Sequence, residues 1–313
     1  MREELDPAVR DVVDRFDREG VPEWHAMSVD CARRVEDEVF GGGDGPAMDL
    51  VRDLAFDGPS GDVPVRIYRP DADADAPMPV LVYYHGGGWT LGNLDSIDGA
   101  CRELADRTGC LVVSVDYRLA PEHPFPAAVD DAYAAVRWVA ANAASFGGDP
   151  ERVGVAGTSA GANLAAVTAL RLREEPVADL ELAFQLLLYP ITDHAFDTDS
   201  YEENADGPLL TRADMGWFWE QYLRSSVDGA NPYASPLRAR DLSGLPSACV
   251  VTAGHDPLRD EGAAYAERLR EAGVGVVHDH YPTMCHGFLS LTDEVQRAEE
   301  AMATVADRVR ESL

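Results

Sequence analysis

A serine that attacks a carbonyl needs three helpers: a base within hydrogen-bonding reach, an acid to orient that base, and donors for the oxygen that becomes charged. This sequence offers a candidate for each part. Gly157-Thr158-Ser159-Ala160-Gly161 follows the apolar run RVGVA at 152–156 and opens the helical run AGANLAAVTALRL. Strand, sharp turn and helix then place Ser159 at the apex of the turn. Its neighbours two positions away must lack bulk, and Gly157 and Gly161 do. The helix that starts there lends free N–H groups and the positive end of its dipole.

The donors are read from His85-Gly86-Gly87-Gly88-Trp89, which directly follows the strand-like run PVLVYY. Consecutive glycines let backbone N–H groups approach a ligand with no side chain in the way. Gly87 and Gly88 are the first candidates for an oxyanion hole, Gly86 a further one, and the N–H of Ala160 completes it.

For the base, the histidines after Ser159 are His194, His255, His278, His280 and His286. His286 stands in TMCHGFLS, between the last strand and the last helix, from where a base can reach over the carboxyl edge of a sheet. His278 and His280 alternate within VGVVHDHYP and read as solvent-facing strand residues; a metal site there lacks an evident third ligand. His194 lies in an acidic excursion. His255 directly precedes Asp256, so one of those two must point away. Asp256 ends the run SACVVTAGH, and active residues of open α/β sheets lie at the carboxyl ends of strands. Asp260, one turn into the following helix, is the alternative acid or a supporting residue.

The elements that must position these groups follow from periodicity. Residues 5–19 are predicted helical from the spacing of Leu5, Val9, Val12, Val13 and Phe16, with Asp6-Pro7 as cap. A second helix is predicted from about Ser28 to Phe40, followed by FGGGDGPA, where Gly41, Gly42, Gly43 and Gly45 read as a linker. They follow a helix rather than a strand and lack the Lys-Ser/Thr ending of a phosphate loop. Eight β-rich runs follow: MDLVRDLAF, VPVRIYRP, PVLVYYH, LVVSVDY, RVGVAG, AFQLLLYP, SACVVTAG and VGVVHDHYP. From the third onward, helical patterns at 95–107, 126–144, 160–173, 257–272 and 292–312 separate most of them, the last with Thr292 as its cap. Alternation of this kind predicts βαβ units and a mostly parallel sheet, and the first two strands, with no helix between them, an antiparallel edge. The insert PDADADAPMP at 70–79 reads as a polar loop between edge strands. Residues 190–226 interrupt the alternation with an acidic loop and an aromatic helix holding Met215, Trp217, Phe218, Trp219 and Tyr222. These aromatics read equally as core or as a pocket wall.

Composition narrows the partners. The chain has 313 residues, 46% of them hydrophobic, enough for a sizeable core. It carries 56 acidic residues against 26 basic, a net charge of −30, and every basic residue is Arg. Nothing basic is left over for phosphates or anionic membranes, so nucleic acid and membrane are not expected as partners. Heavy Asp/Glu without Lys resembles the style of extreme halophiles; at molar salt the Debye length is about 3 Å, so self-repulsion is screened. Five cysteines, Cys31, Cys101, Cys110, Cys249 and Cys285, with no CxxC, fit a reducing compartment. The charged N-terminus lacks the apolar stretch of a signal peptide, and no run approaches the ~20 apolar residues of a membrane span. A cytoplasmic location is expected.

HGGGW at 85–89, DYRLAPEHPFPAA at 116–128, GTSAGANLA at 157–165, DPLRDEG at 256–262 and HGF at 286–288 together resemble the motifs of the hormone-sensitive lipase-like esterases and lipases. They stand in the right order over nearly the whole chain, and the spacings of 97 residues from Ser159 to Asp256 and 30 from Asp256 to His286 are those of compact microbial members. The resemblance implies an α/β-hydrolase fold: a mostly parallel eight-stranded sheet flanked by helices, with a helical cap. It implies a core at 46–189 and 227–313, and a cap made of N-terminal helices (1–45) and the insertion at 190–226. It implies Ser159, Asp256 and His286 as triad, and Arg118, Glu122 and the nearby prolines as braces of the loop under the site. No metal or organic cofactor is implied. A small-molecule ester is the expected partner, with a homodimer through the last strand and helix as a candidate assembly. Two positions depart from the pattern: Thr158 stands where Asp is usual and Ala162 where Gly is usual. Thr158 removes a charge beside the serine, which bears on loop bracing and rate but not on the reaction. Cys285 reads as a small packing residue whose thiol would admit mercurials.

The expectation is a serine carboxylesterase for short- to medium-chain esters, working through an acyl-enzyme and adapted to high salt. An amidase or formamidase would use the same triad. A ligand-binding receptor on the same scaffold is the reading from another class, and it normally goes with loss of the base, which is present here.

Overall fold

Asp6 and Pro7 start the first helix as the cap pattern predicts: the Asp6 side chain accepts the Ala8 N–H at 2.8 Å, and Pro7 takes the first helical position, where a missing N–H is harmless. The computed structural model describes residues 3–39, 45–71, 76–178 and 180–313. In chain order its elements are α1 (Pro7–Glu19), α2 (Val29–Val39), β1 (Leu50–Gly58), β2 (Gly61–Arg69), β3 (Met78–Tyr84), α3 (Asp98–Thr108), β4 (Leu111–Val115), α4 (Ala127–Asn142), β5 (Gly148–Thr158), α5 (Ala160–Glu174), β6 (Leu182–Leu188), α6 (Asp199–Glu203), α7 (Arg212–Tyr222), β7 (Ser247–His255), α8 (Arg259–Glu271), β8 (Val276–Cys285) and α9 (Gln296–Ser312). The glycine run at 41–43 and residues 72–75 of the Ala/Asp/Pro loop lie outside the described residues.

The strands form one eight-stranded sheet in the order β1-β2-β4-β3-β5-β6-β7-β8. β1 and β2 are an antiparallel hairpin, β2 is antiparallel to β4, and every later pairing is parallel. The central strands are rich in apolar residues because helices cover both their faces; β4 is buried at every residue. On one face α4, α5 and α8 share a core cluster with the aromatic residues of α7. On the other, α3 and α9 pack with α1, whose Val9 and Val12 are fully enclosed.

Two expectations change. The loop at 70–77 joins the edge hairpin to β3, an interior strand, and so does not connect two edge strands. The last helix starts at Gln296, four residues after the predicted cap Thr292. Val295 is buried and in extended conformation, and its N–H closes a turn onto the Leu291 carbonyl at 2.8 Å. Burial of Val295 sets the entry to the helix and overrides the capping preference of Thr292.

Among the described residues, no helix is long and apolar enough to cross a membrane.

Candidate active site

β5 ends at Thr158 and α5 begins at Ala160, leaving Ser159 at the turn with φ 55° and ψ −117°. A side chain in that region of backbone space is strained by roughly 1–3 kcal/mol and persists only where its surroundings hold it. They do: the Ser159 N–H donates to the Leu188 carbonyl at 2.9 Å, and the Ser159 carbonyl accepts the Asn163 N–H at 3.0 Å. The turn also forces α5 against β3. A Cβ on Gly161 would lie 1.9 Å from the Tyr84 carbonyl oxygen and 2.4 Å from that of His85. Glycine is required there by close approach, as the spacing predicts.

The base and acid come from the ends of the last two strands. His286 follows β8, and Asp256 follows β7. The hydroxyl of Ser159 is 3.0 Å from His286 Nε2, and His286 Nδ1 is 2.8 Å from Asp256 Oδ2. With the Nδ1 proton donated to Asp256, Nε2 is left to accept the serine proton. The other Asp256 oxygen accepts the Leu258 N–H at 2.8 Å, so the carboxylate is aimed by its own loop. Asp256 is fully buried and Ser159 is 8% exposed, which leaves the hydroxyl reachable and the acid shielded from water. The Tyr189 ring meets the His286 ring edge-on at a centroid distance of 4.9 Å and limits its rotation.

The loop His85–Trp89 lies across the turn from Ser159. Gly87, Gly88 and Trp89 have φ of 94°, 57° and 58°. A Cβ on Gly88 would strike the Phe218 ring at 2.1 Å, so the loop and α7 touch at a glycine. Gly86 faces the nucleophile: a Cβ there would sit 3.6 Å from the Ser159 Cβ. Among the described residues, the N–H groups of Gly86, Gly87, Gly88 and Ala160 find no acceptor in the protein. Unpaired donors on the glycine loop and at the start of α5, the two segments beside Ser159, are of the kind that holds a developing oxyanion. His85 braces the loop from beneath. Its ring stacks on Tyr117 at 4.3 Å, it hydrogen-bonds the Gly86 carbonyl through Nδ1 at 2.8 Å, and burial depresses its pKa to about 4, so it stays neutral. Arg118 clamps Asp131 through two hydrogen bonds of 2.8 Å, as a loop brace should. Glu122 pairs with Arg33 on α2 (2.7 and 2.8 Å), and Arg33 also donates to the Ala120 carbonyl at 3.1 Å, bracing the loop and tying it to the N-terminal helices.

The remaining candidates lie elsewhere. His255 points away, its Nε2 on the Glu3 carbonyl at 3.1 Å. His278 and His280 share the hydroxyl of Thr252 at 2.8 and 2.9 Å. His194 packs edge-on against Trp219 at 4.9 Å. Asp260 accepts the Ser200 N–H at 2.8 Å and so supports the acid loop from outside. Thr158 Oγ1 accepts a hydrogen bond from Tyr83 at 3.3 Å, a neutral contact beside the serine. Cys285 is fully buried, and burial pushes its thiol up to about 12, which fits the expected packing role.

Sequence reasoning misses the residues that hold the insertion. Asn163, one turn after Ser159 and fully buried, donates through Nδ2 to the carbonyls of Ile191 and Ala234 at 2.9 and 2.8 Å, gripping both roots of the excursion at once. Its signal is an amide in an otherwise apolar helical run. The insertion also meets the N-terminal segment: Asp214 on α7 accepts the His25 N–H at 2.9 Å, and the Trp24 indole donates to the Leu209 carbonyl at 3.3 Å. The aromatics of α7 pack into the core, and Phe218 among them sits against the glycine loop. Trp89 stacks on Tyr222 at 4.0 Å and leans on Trp219 at 4.7 Å, which roots α7 on the glycine loop.

Comparison with known proteins fits this geometry. A family model described as alpha/beta hydrolase fold matches residues 81–290. Carboxylesterase NlhH of Mycobacterium tuberculosis is 49% identical over 254 residues, covering 80% of this chain and 78% of that protein. Ethyl acetate hydrolase of Pseudomonas putida is 37% identical over 298 residues, 92% of each chain. The structure of an ester hydrolase from the metagenome of Lake Arreo, complexed with a derivative of bipyridine phosphonate, superposes with a TM-score of 0.92 at 42% identity, over 98% of each chain. With the family model matched over more than half its length, and relatives this similar over most of it, the chain belongs to the α/β-hydrolase carboxylesterases of the hormone-sensitive lipase-like family.

Proposed function

We propose that the protein hydrolyses short- to medium-chain carboxylic esters through an acyl-enzyme on Ser159. The observation that carries the reading is the relay itself: His286 bridges Ser159 and Asp256 at 3.0 and 2.8 Å. His286 Nε2 takes the serine proton as Oγ attacks the ester carbonyl. Asp256 holds the imidazole in the required tautomer and stabilises the imidazolium. The N–H groups of Gly87, Gly88 and Ala160, with Gly86 beside them, take the oxyanion. His286 then gives its proton to the departing alcohol, and water repeats the cycle on the acyl group. Replacement of Ser159 by Ala should abolish turnover of p-nitrophenyl butyrate with no change in melting temperature. Full activity in that variant would end the assignment. Matched ester and amide substrates separate an esterase from an amidase; faster ester turnover is expected.

Two finer points belong to the same reading. The first is acyl length. Residues 190–226, held to the Trp24–Ala26 turn, form a cap over the core with the N-terminal helices, of which α2 is tied through Arg33 to the loop at 119–122 and α1 is anchored on the far face. Phe218 seated on Gly88 narrows the space beside the oxyanion donors. A relative named for ethyl acetate covers 92% of the chain. Higher turnover of emulsified long-chain triglyceride than of soluble short esters would reverse this point. The second is salt. Among the described residues only Asp131, Asp214, Asp256 and Glu261 are buried carboxylates, so the −30 charge is a surface property. Its unscreened repulsion should unfold the protein as salt is diluted below molar levels. A melting temperature independent of salt down to tens of millimolar would remove the salt reading and leave the esterase one intact.

A further inference from the structure

The acid of the relay is aimed by more than its own loop. The backbone of that loop is gripped from outside the sheet by α6, a five-residue helix of the insertion. Ser200 Oγ donates to the Pro257 carbonyl at 2.7 Å, and Asn204 Nδ2 to the Asp256 carbonyl at 3.2 Å. The grip is reciprocal. The Asp260 N–H donates to Ser200 Oγ at 3.2 Å, the Ser200 N–H to Asp260 Oδ2 at 2.8 Å, and Arg259 pairs with Glu203 at 2.8 Å. Ser200 and Asn204 are fully buried. A helix of that length has little stability of its own, and buried polar groups are costly to leave unpaired. The contacts therefore hold α6 and the acid loop as one body. The same α6 leads through Ala205, whose carbonyl accepts the Arg212 N–H at 3.0 Å, into α7 and its contact with the glycine loop.

We infer that Ser200 and Asn204 are positioning residues for the ester hydrolysis proposed above: they set the orientation of Asp256, and through it the tautomer and aim of His286. The insertion is then a part of the triad's support as well as a wall of the pocket. A displaced acid loop leaves the Asp256 carboxylate misdirected toward His286 Nδ1, which slows the chemical step and leaves ester binding alone.

The test is a double-mutant cycle on the full chain with p-nitrophenyl butyrate. Ser200→Ala, which removes the hydroxyl's bonds to the Pro257 carbonyl and from the Asp260 N–H, should lower kcat about tenfold, with KM changed by less than about twofold. Asp256→Ala should lower kcat far more. Added to Asp256→Ala, Ser200→Ala should lower kcat by less than about twofold, because the residue it acts through is gone. The same about tenfold loss in both backgrounds would show a general structural role and overturn the inference. So would a Ser200→Ala variant with unchanged kcat and raised KM. Should Ser200→Ala fail to fold, as its melting temperature would show, Asn204→Ala carries the same cycle. The inference rests on the esterase reading, and the two fail differently. A parent protein that does not hydrolyse the ester ends that reading. An active parent with an additive cycle ends only this one.

Discussion

Replacing Gly161 by Ala tests how the serine turn is built. The substituted Cβ would lie 1.9 Å from the Tyr84 carbonyl oxygen, where ordinary contact begins at 3.4 Å, so α5 and β3 must part by about 1.5 Å. Neither partner can yield cheaply. The obstructing atoms are backbone, and Tyr84 sits in a strand paired on both sides, to β4 and β5. Ser159 moves with α5, while Gly86, Gly87 and Gly88 move with β3, so the shift opens the gap between nucleophile and oxyanion donors. Misplacement of about 1 Å at a reacting centre lowers rates about 100-fold, and overpacking of this kind destabilises by about 1–3 kcal/mol. The expected outcome is a kcat on p-nitrophenyl butyrate lower by about two orders of magnitude, with a modest fall in melting temperature, followed by stopped assays and thermal denaturation. A Gly161→Ala variant with kcat within a few-fold of the parent would refute the close-packed turn as the reason for the glycine.

Other outcomes follow from the same contacts. Gly216 lies inside α7, and a Cβ placed on it would meet no atom within 4 Å; Gly216→Ala should raise stability by about 0.5–1 kcal/mol in denaturant titration and leave kcat unchanged. Glu261 is fully buried, and burial raises its pKa from 4.5 to about 8 against the pull of the Thr192 and Asp193 N–H groups that its Oε1 accepts. A carboxyl raised on folding is neutral in the native state and ionised in the unfolded chain between those two values, so its contribution is full below about 4.5 and falls as pH rises through 8. Glu261→Gln keeps an acceptor for both N–H groups and cannot ionise. Its melting temperature relative to the parent should therefore rise between pH 5 and 8 and level off beyond; a difference that does not change with pH would contradict the assignment.

The triad is legible in the sequence because each member sits in a short local pattern at a strand end: Ser159 between two glycines at a strand-to-helix turn, Asp256 at the close of an apolar run, His286 in the last loop. The antiparallel hairpin is legible because no helix separates its strands. What sequence alone does not convey is contact between distant segments. Asn163 reads as one amide in an apolar helix until its Nδ2 is seen to bond Ile191 and Ala234, 28 and 71 residues away. Ser200 and Asn204 read as polar residues of an acidic loop until α6 meets the loop that follows β7. Glu122 is expected to brace its own loop, but its partner in doing so, Arg33, which also donates to the Ala120 carbonyl, lies 89 residues away on α2. The start of α9 differs from expectation for a related reason: a capping preference at Thr292 is local, whereas the burial of Val295 is a property of the packed core.

The central claim is that Ser159 is the nucleophile and His286 its base. The most direct measurement is inactivation with a p-nitrophenyl phosphonate ester, followed by intact-mass and peptide analysis. The account predicts loss of activity in step with a single adduct on Ser159, no adduct in Ser159→Ala, and labelling slowed by orders of magnitude in His286→Ala. Stoichiometric inactivation with the adduct on any other residue, or labelling at an unchanged rate without His286, would contradict it.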